Sequence, residues 1–225
     1  MYKYTAVIVE PREHRALSFV LNNFLTNLSE EWGIIIFHGR KNKKYIEDIL
    51  STDLLIYKHR IITLIQLDVN NLIINQYNIL LKNSNFYKCI PTEILLIFQV
   101  DSIILKENKD LINNFLEYDY VGAPWRNGMV GNGGLCLRSK SKMIEICEKV
   151  DKNFTPHEDN YFCYQNTVSL NRPSFQDAQK FSVETVFHEK SFGIHAPWKY
   201  LTTYELEFLI HRYPDINTLK ELNMK

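Results

Sequence analysis

The stretch ILLIFQVDS, residues 94–102, decides the fold. Ile94 to Phe98 is a short apolar run without alternation, the pattern of a strand covered on both faces in a parallel sheet. Three residues later the chain reaches the carboxylate of Asp101. An unpaired carboxylate in a dry interior is costly, so Asp101 has either left the core or holds something positive there. One reading is an Asp that caps the next turn through its own backbone. The other is an acid beyond a strand, whose hard oxygens coordinate a divalent ion that bridges two phosphates.

Outward from this stretch, Thr5–Val9, Gly33–Phe37 and Ile61–Leu67 are three further runs of the same kind, each expected to be covered on both faces. Between them lie helical spacings: Arg15–Leu28, with apolar residues at Leu17, Val20, Leu21, Phe24, Leu25 and Leu28, then Asn42–Leu50 and Asn71–Leu81. Alternation of strand and helix predicts a doubly wound α/β half. Ligands of such sheets sit beyond the carboxyl ends of the strands, where Asp101 follows the fourth run and Glu10, Pro11 and Arg12 follow the first.

The second half has aromatic and glycine-rich loops, YDYVGAPW (118–125) and GNGG (131–134). Helices are expected at about 141–150, from near His157, and at about 202–212. Loop-rich segments facing a ligand-ready sheet edge commonly carry recognition.

With 225 residues, 45% hydrophobic and 13% aromatic, the chain reads as one domain over 1–225. Its strand-and-helix half spans about 1–105 and its loop-rich half about 106–225. The 26 basic and 26 acidic residues cancel, leaving no overall field to recruit nucleic acid or an anionic membrane. Four cysteines without a CxxC pair read as reduced, mostly buried thiols. The short apolar run at the N-terminus does not resemble a signal peptide, and no run reaches the ~18 residues of a membrane span. A cytoplasmic protein is expected, in the host cytoplasm if the source is viral.

Three motifs beyond Asp101 can carry chemistry. In VGNGGLCLR (130–138) the paired glycines allow close backbone approach to a ligand, though alone they equally describe a hairpin turn. In PHEDNYF (156–162) Glu158 and Asp159 are either N-terminal helix charges or include a general base. Neighbours on a helix diverge by roughly 100°, so only one of them faces a given substrate. In FGIHAPW (192–198) His195 is a metal ligand, an acceptor contact or a core histidine.

In this order, IFQVDS, YDYVGAPW, VGNGGLCLRSK, EDNYF, FSVE and GIHAPW resemble a family of glycosyltransferases catalogued as a domain of unknown function and seen in giant viruses, fungi and bacteria. The resemblance runs from about residue 94 to 201. It implies a GT-A-like fold with a Rossmann-type, mostly parallel central sheet, in which about 1–105 is a nucleotide-binding half and the loop-rich 106–225 an acceptor half. It also implies a nucleotide-sugar donor, expected to be a UDP-sugar, bound through Mn²⁺ or Mg²⁺, and a glycan or protein acceptor. The acid motif of such enzymes is usually DxD, and here Gln99 replaces its first acid.

By the same resemblance Asp101 and His195 hold the ion, with Gln99 beside Asp101 on the donor side. The turn after the first strand, Glu10, Pro11 and Arg12, is the natural place for ribose or base contacts, Arg12 either meeting a phosphate or being a solvated loop charge. Asn132, Gly133 and Gly134 form the glycine loop, and Asp159, in preference to Glu158, is the base. Beside the resemblance, Trp125 and Trp198 either stack on a sugar or line the acceptor cleft, or are packing anchors, and Glu184 is an acceptor ligand or the structural partner of a nearby Arg or Lys. Because Gln99 stands where an acid is expected, the alternative is an inactive nucleotide- or sugar-binding protein of the same fold.

Overall fold

The four apolar runs form the parallel half of one six-stranded sheet in the computed structural model, which describes residues 2–224. Along the chain the elements are β1 (Tyr4–Val9), α1 (Leu17–Asn27), β2 (Trp32–His38), α2 (Lys43–Ser51), β3 (Ile62–Gln66), α3 (Ile74–Leu81), α4 (Ser84–Lys88), β4 (Ile94–Phe98), β5 (Ser102–Ile104) and β6 (Tyr120–Gly122). There follow β7 (Leu135–Ser139), α5 (Lys140–Lys149), α6 (Glu158–Tyr164), α7 (Phe175–Ala178), β8 (Ser182–Val183), β9 (Gly193–His195), α8 (Thr203–Arg212) and α9 (Asp215–Asn223). The sheet order is β3-β2-β1-β4-β7-β6, with β7 antiparallel to both β4 and β6.

Successive side chains of a strand point to opposite faces, and the core divides accordingly. Ala6, Ile8, Ile34, Ile36, Leu96 and Phe98 pack on one face, and Val7, Val9, Ile35, Phe37, Leu95 and Ile97 on the other. Helix α1 seals the first face through Leu17, Val20, Leu21, Phe24 and Leu25, with Phe24 stacked on Phe98 at 3.7 Å between ring centroids. Each such side chain contributes roughly 1.5–3 kcal/mol on full burial, so β1, β2 and β4 need no alternation to be held.

The third run departs from its expectation of cover on both faces. Strand β3 pairs only with β2, and Thr63 and Gln66 are exposed. It is an edge strand of the sheet, and Ile62, Leu64 and Ile65 are only partly buried against the core.

A second sheet, β5-β9-β8, was not legible in the sequence, because its strands have only two or three residues each. Its register pairs Ser102 with His195, which brings the acid-bearing stretch against the histidine-bearing one. In the main sheet β1 continues through α1 to β2 on one side, while β4 lies on its other side. The carboxyl ends of β1 and β4 are therefore the topological switch point, the place where open α/β sheets hold ligands.

Candidate active site

Asp101 projects from the turn that joins β4 to β5. The turn itself is closed by its neighbours: Ser102 N donates to Gln99 O at 3.1 Å, and Gln99 N donates to Ser102 Oγ at 3.3 Å. Its own side chain is thereby left free of the backbone. Oδ1 lies 3.2 Å from His195 Nε2, and Oδ2 accepts from Lys199 Nζ at 2.9 Å.

Lys199 arrives there through strain. Ala196 holds a left-handed conformation (φ 42°, ψ 45°), and the next residues, Pro197–Lys199, form one tight 3₁₀ turn. For a residue with a Cβ such backbone costs of order 1–3 kcal/mol and persists only where its surroundings enforce it. Ala196 N donates to Asp101 O at 2.9 Å, tying the two segments together.

A chain of contacts continues behind the histidine. His195 Nδ1 lies 3.1 Å from Glu184 Oε1, which also accepts from Asn132 Nδ2 at 2.7 Å, and Asn132 Oδ1 accepts from Gly134 N at 2.9 Å. The paired glycines are required by approach: a methyl group on Gly134 would strike the His195 ring, and one on Gly133 the Glu158 carboxylate.

These contacts set the protonation states. Burial alone would raise the Asp101 carboxyl, but His195 and then Lys199 outweigh it and hold it well below the usual carboxylate range. Burial alone would lower His195, but Asp101 and Glu184 outweigh it and raise the imidazole to about 9. Asp159 is pushed upward by its own burial, against the opposing pull of the Asn160 N–H and of Arg138.

Glu158 and Asp159 diverge as helix geometry requires. Glu158 is buried, with Oε2 accepting from Arg138 Nη2 at 2.7 Å and its backbone N donating to Asn78 Oδ1 at 2.9 Å. Arg138 is fully buried between the rings of Tyr120 and Phe162 and donates to Tyr87 Oη at 2.8 Å. Both acids line one cavity, but Asp159 is not bound to Arg138, and its Oδ1 accepts from Asn160 N at 2.7 Å.

Two cavities meet at this place. One of about 370 Å³ lies at the switch point, lined by Glu10, Pro11, Arg12, Gln99 and Asp101 among others. A second, of about 220 Å³, is lined by Asn132, Gly133, Gly134, Glu158, Asp159, Glu184 and His195 among others. Ile74, Tyr77 and Gln99 line both, and Gln99 Nε2 donates to Tyr77 Oη at 3.0 Å, so these side chains stand between the two. The first cavity has a bidentate pair on its wall, Arg12 Nε and Nη2 reaching Glu10 at 2.8 and 2.7 Å. Trp125 lines neither of these cavities but a hollow that shares Tyr200 with the second, and Trp198 is half-buried against the core.

Among the described residues no group of three or more His, Cys, Asp or Glu side chains is arranged to hold a metal ion. The pair Asp101 and His195 still suits one. His195 Nε2 is buried and makes no geometrically complete hydrogen bond, with Asp101 Oδ1 standing 3.2 Å away. Two neighbouring ligands of an octahedral ion stand roughly 3 Å apart, given bonds of about 2.0–2.1 Å. A site with two protein ligands leaves the remaining positions to water and phosphate, as Mg²⁺ sites commonly do. Glu184 on the far nitrogen would fix the ring and its tautomer.

Sequence reasoning missed Lys199, Tyr77, Tyr200 and Arg138. Arg138 carried a signal, a cation inside the apolar strand LCLR, which demands a buried partner. Lys199 and Tyr200 follow the GIHAPW motif directly but depend on the Ala196 twist, and Tyr77 sits in an ordinary helical pattern.

Comparison with known proteins places these features in context. A family profile described as protein of unknown function (DUF5672) matches residues 62–195, more than half of the chain. No curated protein matches the sequence. Among solved structures, the glycosyltransferase GlyE of Streptococcus pneumoniae TIGR4 is similar with a TM-score of 0.58 at 13% identity, over 98% of this chain and 63% of that one. S. aureus TarS 1-349 in complex with UDP is similar with a TM-score of 0.52 at 11% identity, over 92% of this chain and 63% of that one. The chain thus spans a little under two thirds of each, and its fold is GT-A-like.

Proposed function

Since the chain belongs to the family described as protein of unknown function (DUF5672) and has a GT-A-like fold, we propose that it transfers a sugar from a nucleotide-sugar donor to an acceptor hydroxyl with the help of a divalent ion. The observation that carries this reading is the approach of Asp101 and His195 to 3.2 Å at the rim of the switch-point cavity, with the imidazole Nε2 unpartnered. The similar TarS fragment was crystallised with UDP, and UDP-sugars are the first donors to test.

In this reading the nucleotide occupies the larger cavity. Glu10 and Arg12 contact its ribose or base, and Lys199 and Arg12 supply positive charge toward the phosphates. Asp101 and His195 hold Mn²⁺ or Mg²⁺, which when bound offsets the charge gathering on the departing diphosphate. The sugar reaches past Tyr77 and Gln99 into the smaller cavity. There Asp159 takes the proton of the acceptor hydroxyl, whose oxygen bonds the anomeric carbon as the bond to the nucleoside diphosphate breaks. Asn132 and Glu184 brace the histidine and face the transferred sugar. Glu158 spends its carboxylate on Arg138 and acts by fixing the start of α6.

A second reading rests on Gln99, an amide where an acid is expected and already committed to Tyr77. It is a binding protein of the same fold without turnover. A thermal-shift screen of nucleotide sugars with Mn²⁺, followed by hydrolysis and transfer assays on every donor that raises the melting temperature, separates the two. Stabilisation with turnover supports the transferase, stabilisation without turnover across the panel supports the binding protein, and no stabilisation overturns both.

A further inference from the structure

A third concavity, of about 220 Å³, opens beside the two described and is lined by Trp125, Arg126, Thr185 and Tyr200. Tyr200 is 47% exposed and also lines the cavity of Asp159 and His195, so one ring borders both spaces.

The hollow is firmly built. Trp125 sits on a tight hairpin in which Trp125 N donates to Met129 O at 2.8 Å and Gly128 N donates to Trp125 O at 2.9 Å. Gly128 stands at its tip with φ 87°, a conformation glycine adopts without steric cost. The Arg126 guanidinium donates to Thr185 O and to Tyr200 O, each at 3.1 Å. It therefore clamps the hairpin to the two segments that follow Glu184 and His195. Tyr164 flanks Trp125, with ring centroids 6.2 Å apart and planes at 30°.

We propose that this hollow is the acceptor subsite and that it takes a pyranose ring, so that the acceptor is a saccharide; the inference rests on the transferase reading above. A sugar ring offers one face of C–H groups and a rim of hydroxyls. Trp125 and Tyr200 supply aromatic surface for the face, since such rings are apolar bodies with polar edges. Arg126 has five N–H donors in a fixed fork, of which two are engaged, leaving the rest for the rim. The volume is below the roughly 300–1,000 Å³ of pockets for drug-sized ligands, which suits a single ring.

A peptide acceptor fits worse. An extended peptide gains affinity by adding to exposed backbone groups, and here the guanidinium and the hairpin already occupy the carbonyls of Trp125, Thr185 and Tyr200. A sugar seated on Trp125 would instead present a hydroxyl past Tyr200 to Asp159.

The test uses the full chain and two arms. In the first, intrinsic tryptophan fluorescence is followed as methyl glucoside, methyl mannoside, N-acetylglucosamine and a Ser/Thr-containing peptide are titrated into the wild type, Trp125→Phe and Trp125→Ala. In the second, transfer to the same compounds is measured with each nucleotide sugar that raises the melting temperature. That donor-induced shift also serves as the control that both variants are folded. The expected result is saturable binding of at least one saccharide, and transfer to it with an acceptor KM at least tenfold higher in Trp125→Ala. Trp125→Phe should stay within about threefold of the wild type. Transfer confined to the peptide, or a saccharide KM unchanged in Trp125→Ala, overturns the inference while leaving the transferase reading in place. Absence of any donor-induced shift overturns that reading and the acceptor assignment with it.

Discussion

His195 Nδ1 stands 3.1 Å from Glu184 Oε1 while its Nε2 faces Asp101 Oδ1 at 3.2 Å, so one buried imidazole is held between two carboxylates. The two contacts have different work. In the proposed function the Asp101 side would offer ligands to an ion, and the Glu184 side would fix the ring. Outer contacts of that kind typically carry 10–100-fold in metal affinity. Glu184→Gln is therefore expected to weaken Mn²⁺ binding by about 10–100-fold, and His195→Ala by more, in titrations of the metal in the presence of a nucleoside diphosphate. Equal affinity in Glu184→Gln and the wild type would separate Glu184 from the site.

Gly134 supplies a steric test of the same ring. A methyl group at this position meets the His195 imidazole, whereas the backbone there imposes no conformation reserved for glycine. Gly134→Ala should keep a cooperative unfolding transition and lose most metal-dependent donor binding. A variant that binds donor like the wild type would mean that the histidine has room to move without consequence.

Asp159 makes a prediction in pH. Its carboxyl is raised by burial, and as a base it must be ionised. The transfer rate should therefore fall as pH drops through a midpoint above that of an ordinary aspartate, with full rate on the alkaline side. Asp159→Asn should retain donor binding and lose roughly 10²–10⁴-fold in transfer, the usual weight of a general base. A pH profile flat across the acidic range in the wild type would remove Asp159 from that role.

Arg138 and Glu158 make a prediction in stability. Both are buried, and removing one partner of a buried pair leaves an uncompensated charge. Arg138→Met should cost about 3–5 kcal/mol in urea unfolding. The double variant Arg138→Met with Glu158→Leu should recover most of that loss, because apolar replacement of a whole pair is often close to neutral. No recovery in the double variant would mean that the guanidinium matters chiefly through Tyr87, Tyr120 and Phe162.

The parallel half of the sheet was readable because its strands are apolar runs, buried in β1, β2 and β4 though not in the edge strand β3, and its helices repeat at 3.6 residues. The second sheet was not, since β8 has two residues and its pairing depends on distant contacts. At the site, Asp101 and His195 stood out as polar residues in apolar or glycine-rich company. Lys199 did not, because only the left-handed turn at Ala196 carries it to Asp101. The assignment of Ser102 rather than Asp101 to close the turn at 99–102 was equally hidden, for either side chain can do so.

The most direct test of the central claim is calorimetric titration of UDP and GDP, each with and without Mn²⁺, into the wild type and Asp101→Asn. Asp101 accounts for metal-assisted diphosphate binding at the β1–β4 switch point if the wild type binds at least one nucleotide much more tightly with Mn²⁺ and the variant loses that gain. Binding that is the same with and without the ion, or the same in both proteins, would contradict it.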